Sequence, residues 1–276
     1  MTDGLAQFTQ PGFLGREDVR ILPYAIHLRG VLYPEGEGLK TNLLPVYVTE
    51  QNPIRLAKPD PEKYQQVFQS LVGQYREVIV ILTSSELSPS YACAEKAASA
   101  VRGQIGVTLI DSQTISVGLG LLVQLAAEAA SRGFGAAEIE RRTRKAVSQT
   151  YSLFSTVGLS YLSQEGFIDE GQAAIGEMLG LIPIFSLEEG KLSSIEKARN
   201  QRGIMEFFQE FIGEFENLQH IAYLQGSTTF THETHLLREH AQIHFPHTPF
   251  SEHTINLPVA SLIGPRTLGL ILLESD

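Results

Sequence analysis

The sequence predicts an α/β protein of two domains with mainly parallel sheets. From residue 61 onward, short apolar runs typical of strands alternate with segments of helical periodicity, and this order favours parallel strands joined by helices. The long helical segment that ends near Ser155 and Thr156 is followed by a second series of runs and helices. We therefore place an N-terminal α/β domain at residues 1–157 and a C-terminal α/β domain at residues 158–276.

Short apolar runs indicate the strands. The run at residues 78–82 consists of Val, Ile and Leu, and β-branched residues favour extended backbone. The first sixty residues contain prolines throughout and few helical signals, so a single strand is predicted there. The predicted strands cover residues 19–23, 78–82, 106–110, 182–185, 219–224 and 268–273.

Helical periodicity and end signals indicate the helices. Asp60 before Pro61 is a typical helix start, since the carboxylate caps free N–H groups and proline suits the first turn. Gly133 and Gly135 are typical helix stops. The predicted helices cover residues 61–75, 90–102, 116–132, 136–154, 170–179, 197–215 and 231–244.

Charge and cysteine content exclude several classes of protein. The chain has 21 Lys and Arg against 31 Asp and Glu, and a net charge of −10 argues against nucleic-acid binding. Cys93 is the only cysteine, which excludes an internal disulfide and, without a secretory leader, indicates the cytoplasm. The longest apolar stretch, residues 117–130, is shorter than the ~20 residues that span a membrane. We therefore expect a soluble cytoplasmic protein without a transmembrane segment.

A loop rich in hydroxyl groups follows the predicted strand 78–82. In open α/β sheets, ligands bind outside the carboxyl ends of the strands, and hydroxyls with helix N–H groups are neutral donors for a carboxylate or phosphate. The alternative is that these serines cap a helix and solvate a loop, although one cap needs only one hydroxyl. The hydroxyls belong to Thr83, Ser84, Ser85, Ser88 and Ser90.

A second loop has similar features. Residues 111–120 follow a predicted strand and open a helix, and Ser116, Gly118 and Gly120 would allow close approach of a ligand. As a dinucleotide fingerprint the segment is weak, because a third glycine is missing. Helix packing by the two glycines is the alternative interpretation.

The order of these motifs resembles the DegV family of lipid-binding proteins. The hydroxyl loop S-S-E-L-S-P-S-Y is similar to the family's S-S-x-L-S-G-T-Y, and the opening T-D resembles the family's T-D-S-T-A-D-L. Three further segments resemble family motifs in the same order, so the likeness covers nearly the whole chain. The matching segments are residues 2–8, 84–91, 159–168, 179–184 and 262–269.

The resemblance implies a ligand cleft between the two domains that holds one long-chain fatty acid. The carboxylate would meet the hydroxyl loop, and the tail would lie in an apolar tunnel. The protein would be a carrier and not an enzyme, would need no metal or other cofactor, and would present the carboxylate to a fatty acid kinase subunit. The ligand-binding residues on this interpretation include Ser85, Ser88, Ser90, Ser116, Gly118 and Gly264.

Several departures from the family pattern fall at this site. Leu56 and Lys58 occupy the family's T-S-Q-P-S loop, Phe167 replaces an arginine, and Leu262 replaces a histidine. Arg266 replaces a glycine of the family pattern. Arg266 and Lys58 would each compensate for the lost polar side chains by binding the carboxylate of the ligand. The alternative for Arg266 is that its side chain points to solvent from a turn. Two other functions stay open: a degenerate scaffold without ligand, and an enzyme that uses Ser85 or Ser88 but lacks a G-x-S-x-G elbow.

Two further features carry expectations. His240 and His244 are four residues apart on a predicted helix, but no glutamate base accompanies them, and we expect no functional metal. The family has a strand before its T-D-S motif, whereas this sequence begins at Met1. An open sheet edge would favour association, so we expect a homodimer or another covered edge.

Overall fold

The computed structural model describes residues 1–34, 37–57, 60–226 and 231–275. The chain forms two compact units, and each contains more than one segment. Unit 1 consists of Met1–Tyr24, Ala57–Ser148 and Glu189–Lys191. Unit 2 consists of Ala25–Leu56, Gln149–Glu188 and Leu192–Asp276. The domain boundaries drawn from the sequence stay a prediction.

The strands and helices alternate over most of the chain. The strands are β1 (Thr2–Asp3), β2 (Ile21–Leu22), β3 (Ile26–Leu28), β4 (Val31–Tyr33), β5 (Ile54–Leu56), β6 (Glu77–Leu82), β7 (Gly106–Asp111), β8 (Thr150–Ser155), β9 (Ile182–Glu188), β10 (Lys191–Ala198), β11 (Leu218–Gln225), β12 (Phe250–Thr254) and β13 (Leu268–Glu274). The helices are α1 (Pro61–Leu71), α2 (Ser90–Ala100), α3 (Val117–Ser131), α4 (Ala136–Ser148), α5 (Leu159–Gln164), α6 (Glu170–Met178), α7 (Gln201–Ile212), α8 (Thr231–His244) and α9 (Leu257–Ile263).

Unit 1 contains short parallel strands. β1 pairs with β2, and β6 pairs with β7, in both cases in parallel. Met1 joins the two pairs, because its amino group donates to Ile79 O at 2.7 Å and its carbonyl accepts from Ile81 N at 2.9 Å. β1 therefore lies between β2 and β6. The open edge that motivated the expected dimer is covered by Met1–Asp3, so that argument for a dimer does not apply.

Helices α1 and α2 cover one face of β6. Asp60 caps α1 by accepting a hydrogen bond from Glu62 N at 2.9 Å, with Pro61 in the first turn, as the sequence predicts. The two helices and β6 share one buried cluster, in which small alanines of α2 let the aromatic side chains of α1 approach the sheet. The cluster includes Tyr64, Phe68, Val80, Leu82, Ala94 and Ala97.

Unit 2 contains a six-stranded sheet in the order β10-β9-β8-β13-β11-β12. The pairs β8–β9, β8–β13 and β11–β13 are antiparallel, and β11–β12 is parallel. A second sheet, β4-β3-β5, is antiparallel. The predicted α/β class is confirmed, whereas the expectation of mainly parallel strands needs correction in this unit. An apolar run indicates that a strand exists, but its direction depends on the partners that it finds in the folded sheet.

One predicted helix is too long. The segment predicted as a helix over residues 136–154 ends at Ser148, and Thr150–Ser155 forms β8. β8 lies between β9 and β13, where its last four residues are buried, and its Thr, Tyr and Phe favour a strand. Burial in the sheet therefore outweighs the helical periodicity. The shortest elements are too short to show a periodic pattern in the sequence, so they were not predicted. They include β1, β3, β4 and α5.

Helix α7 covers one face of the large sheet. Its residues Ile204, Phe208 and Ile212 pack in one buried cluster with Tyr223 of β11 and Leu270 of β13. Within the described residues, none of the helices has both the length and the apolar composition needed to cross a membrane.

Candidate functional site

Two loops leave the same edge of the sheet in unit 1. β6 and β7 are parallel and in register, with Leu82 opposite Asp111, so residues 83–89 and 112–116 lie side by side. Ser84 N donates to Thr114 O at 3.0 Å, and Ser112 N donates to Leu82 O at 3.0 Å. The two loops predicted from the sequence as one ligand site are therefore in direct contact.

Ser88 and Ser90 form a buried cluster of hydroxyl groups with Tyr24. The Tyr24 hydroxyl lies 2.9 Å from Ser88 Oγ and also contacts Ser90 Oγ, and the two serine oxygens lie 2.9 Å apart. Burial raises the pKa of Tyr24 well above its usual value, and the nearby Asp3 carboxyl adds to this shift. The phenol is therefore protonated at neutral pH. No local pattern in the sequence indicates that Tyr24 belongs to this cluster.

Asp3 lies beneath the cluster and is fully buried. Its carboxylate accepts from Leu5 N at 3.1 Å and from Thr83 N and Thr83 Oγ1 at 2.9 Å each. Burial raises the pKa of Asp3, while the hydrogen bonds from Thr83 and Leu5 act in the opposite direction. Asp3 thus fixes the hydroxyl loop from below, a role that its place in the T-D motif did not reveal.

Ser85 differs from the other two predicted serines. Its side chain is exposed, and its Oγ donates to Asp111 Oδ2 at 2.5 Å. Ser85 N also lies 3.3 Å from both oxygens of Asp111, and Gln113 N donates to Asp111 Oδ1 at 2.9 Å. Asp111 therefore joins the two loops, and the hydroxyl proton of Ser85 is already engaged.

The turn at Glu189–Lys191 completes this side of unit 1. Ser84 Oγ donates to Gly190 O at 2.7 Å, and Lys191 Nζ lies 3.8 Å from Glu86 Oε2. Gly190 has a φ of +86°, and a Cβ there would lie 2.4 Å from Ser84 Oγ. Only glycine fits this position without displacing the serine.

Ser116 and Gly118 form the entry to α3. Ser116 is buried with a φ of +60°, and its carbonyl accepts from Gln7 N at 3.0 Å. A Cβ at Gly118 would lie 2.4 Å from Thr114 Oγ1, and one at Gly120 would lie 2.0 Å from Gln7 O. Both glycines therefore allow close packing of the chain on α3. A role of Ser116 or Gly118 in ligand binding stays a prediction.

An apolar cavity of about 400 Å³ lies within unit 1. It is bounded by β6, by the second half of α3 and by the start of α4, with Arg20 and Glu77 among its polar residues. The alanine-rich sequence of α3 explains the space, because small side chains face the sheet at this level. The apolar lining includes Val78, Ile79, Ile81, Val123, Ala126 and Ile139.

Five of the remaining predicted residues belong to unit 2. Leu262 is buried on α9, and Gly264 follows with a φ of +99°; a Cβ there would lie 3.0 Å from Thr156 Oγ1. Arg266 is exposed in the turn before β13. Leu56 ends β5, which packs against α9, and Phe167 follows α5; both are half-buried. Lys58 lies outside the described residues. The ligand-binding roles assigned to these six residues stay predictions.

The described residues contain no group of three side chains able to hold a metal ion. The His240 and His244 rings lie 4.3 Å apart, and His244 Nδ1 lies 2.9 Å from His240 O, so this nitrogen is engaged by the helix backbone. The expectation that this pair holds no functional metal stays a prediction.

Fold and site together define a class: an α/β protein in which a neutral hydroxyl loop and an apolar cavity occur in the same unit. A family model described as "Uncharacterised protein, DegV family" matches residues 1–275. The chain belongs to the DegV family.

Relatives and solved structures agree with this assignment. A DegV domain-containing protein of Deinococcus radiodurans is 25% identical over 277 residues, covering 99% of this chain and 96% of the relative. The structure of a DegV family protein from Thermus thermophilus, described for its fatty acid binding, matches with a TM-score of 0.82 and 23% identity, covering 99% and 98% of the two chains. The Streptococcus pneumoniae fatty acid kinase (Fak) B3 protein loaded with linoleic acid matches with a TM-score of 0.84 and 16% identity, with the same coverage. At these identities the two structures establish the fold.

Proposed function

We propose that this protein binds one long-chain fatty acid, with the hydrocarbon tail in the apolar cavity of unit 1. The cavity carries the proposal: its volume of about 400 Å³ falls within the roughly 300–1,000 Å³ of small-molecule sites, and aliphatic side chains and alanines form most of its lining. Each buried CH₂ group contributes about 0.8 kcal/mol, so a long tail supplies most of the affinity.

The head group is proposed to lie at the hydroxyl loop. Ser88 and Ser90 provide neutral donors at the carboxyl end of β6, and β6 also lines the cavity. Neutral donors hold a carboxylate without burial of a lysine, which would carry a large desolvation penalty. The fatty acid is the only ligand in this proposal, which includes no metal and no catalysed reaction.

We further propose that the bound carboxylate is presented to a fatty acid kinase subunit. The support is the similarity of fold to the Streptococcus pneumoniae fatty acid kinase B3 protein. Incubation of the loaded protein with a fatty acid kinase subunit and ATP should then produce an acyl phosphate and ADP. Failure of this reaction with a bound fatty acid would leave the carrier proposal intact and reject the kinase partner.

Two other functions make different predictions. A degenerate scaffold would bind no acyl ligand. A serine enzyme would need a general base at its nucleophile, and the described hydrogen-bond partners of Ser88 are the hydroxyls of Tyr24 and Ser90 and the backbone N–H of Ser90. This partner set favours binding over nucleophilic catalysis at Ser88, whereas Ser85 donates to the Asp111 carboxylate.

A displacement titration tests the proposal. The protein is first loaded with a fluorescent fatty acid, and palmitate is then added as competitor. Saturable displacement at a stoichiometry of one would support the carrier, whereas absence of any binding by delipidated, folded protein would favour the degenerate scaffold.

A further inference from the structure

We propose that the apolar cavity of unit 1 is open at the end away from the hydroxyl loop, so that the protein also binds long-chain fatty acids with a hydroxyl group on the last carbon. The inference rests on the proposed function and deepens it by naming a class of fatty acid that the same site accepts. It follows from which residues of the cavity lining are buried, which are exposed, and where each lies along β6 and α3.

The lining of the cavity changes from buried to exposed along its length. Ile81 near the end of β6, and Val123 and Ala126 in the middle of α3, are buried. Glu77 at the start of β6 and Ala130 near the end of α3 also line the cavity, and both are exposed. The cavity therefore runs from the interior of unit 1 to its surface, and we call its exposed end the opening.

The opening and the hydroxyl loop lie at opposite ends of β6. The loop begins at Thr83, directly after the strand, whereas Glu77 is the first residue of the strand. Leu82 lies five residues after Glu77, and at about 3.3 Å per residue the strand spans roughly 17 Å between them. A tail whose carboxylate lies at the loop would therefore direct its last carbon toward the opening.

The side chains around the opening suit a hydroxyl group. Asp18, Arg20 and Glu77 line this end of the cavity, and all three are exposed. A hydroxyl can donate to either carboxylate, accept from the guanidinium or stay in contact with water. A hydroxyl enclosed further inside, among Ile81, Val123 and Ala126, would lose water without gaining a partner of this kind. The cost of a terminal hydroxyl should therefore depend on how far the tail reaches.

The test compares two pairs of ligands by displacement of the fluorescent fatty acid. Each pair is a fatty acid and the same acid with a hydroxyl on its last carbon: dodecanoate with 12-hydroxydodecanoate, and palmitate with 16-hydroxyhexadecanoate. An extended carbon chain advances about 1.25 Å per bond, so the shorter chain ends before the roughly 17 Å span of the strand and the longer one passes it. The hydroxyl should weaken binding about tenfold or more in the shorter pair and less than about threefold in the longer pair.

Ala130→Trp and Ala137→Trp form a matched pair of variants. Ala130 lines the opening, whereas Ala137 is exposed on α4 outside the cavity lining. We expect the indole of Ala130→Trp to close the opening, so that 16-hydroxyhexadecanoate binds at least about fivefold more weakly than palmitate. Ala137→Trp should keep the ratio of the unaltered protein. Thermal unfolding checks that both variants fold, and the two ligand pairs decide without any variant if Ala130→Trp does not.

The remaining outcomes separate the inference from the proposed function. A loss of about tenfold in both ligand pairs would show that the cavity is closed at this end and would contradict the inference. No loss in either pair would place the tail outside the cavity and contradict it as well. Absence of palmitate binding by the unaltered protein would instead reject the proposed function itself.

Discussion

His220 is a partly buried imidazole of unit 2 whose charged form is disfavoured in the folded protein. Its Nε2 lies 2.7 Å from Ser251 Oγ, and His253 Nε2 lies 2.8 Å from the same oxygen. Burial lowers the pKa of His220 to about 4, and the neighbouring His253 contributes in the same direction. A histidine in an unfolded chain titrates near 6.5, so the two states of the protein bind this proton differently.

This difference makes stability depend on pH. Between about pH 6.5 and pH 4 the unfolded chain binds the proton and the folded protein does not, so the free energy of unfolding falls as the pH is lowered through this window. His220→Gln should flatten this part of the profile, measured by urea unfolding at pH 7.5 and pH 4.5. His247→Gln, at an exposed position, is the control. An unchanged pH profile in His220→Gln would refute the assignment.

The candidate site was only partly predictable at the level of residues. Ser88 and Ser90 were identifiable because a surplus of hydroxyl groups follows a strand in the sequence. Tyr24 and Asp3 were not, because the contact of Tyr24 with Ser90 and that of Asp3 with Thr83 each cross more than sixty positions of the chain and follow no local pattern. Tertiary packing alone places them together.

Among the turns, Glu189–Lys191 depends on one glycine. Gly190 and Gly133 have nearly the same φ, +86° and +83°, but a Cβ at Gly133 would meet no atom within 4 Å. Gly133→Ala should therefore lower the free energy of unfolding by about 1 kcal/mol, because the only cost is the positive φ that alanine must adopt. Gly190→Ala should lower it by about 2–3 kcal/mol, because Ser84 must also move and loses its hydrogen bond to Gly190 O. Urea unfolding of both variants measures the difference, and equal effects would show that the Ser84 contact contributes nothing.

Helix α3 provides the space for the proposed acyl tail. Ala126 is buried and lines the cavity, whereas Ala137 is exposed on α4. Ala126→Phe should fill the cavity and reduce palmitate affinity at least tenfold, while changing the free energy of unfolding by less than about 2 kcal/mol, since the cavity accepts the ring. Ala137→Phe should leave affinity unchanged. Normal palmitate binding by folded Ala126→Phe would place the tail elsewhere.

Elements with strong local signals were predictable from the sequence. The cap at Asp60 and the proline after it fixed the start of α1, and the β-branched run gave β6 to within one residue. β8 was missed because its residues continue the period of α4, and only its burial between β9 and β13 selects the strand. β12 was missed because its sequence, FSEHT, is polar and it lies at the edge of the sheet.

For the molecule as a whole, the order of motifs carried more information than any single motif. Each segment that resembles the DegV family is weak alone, but their order along the chain predicted the family, which the match over residues 1–275 confirms. The antiparallel pairing of strands in unit 2 was not predictable in this way, because an apolar run indicates a strand but not whether it pairs in parallel or antiparallel. Leu56, Phe167 and Leu262 depart from the family pattern at the expected ligand site. Whether the protein binds a fatty acid is therefore the first question to test.

Native mass spectrometry of the untagged protein, purified without added lipid, tests the central claim most directly. We predict one bound species per chain with the mass of a long-chain carboxylic acid, which solvent extraction would then identify. Each buried CH₂ group of the tail contributes about 0.8 kcal/mol, so the complex should remain intact during purification. A chain that carries no acid and takes up none when palmitate is supplied in excess would contradict the account.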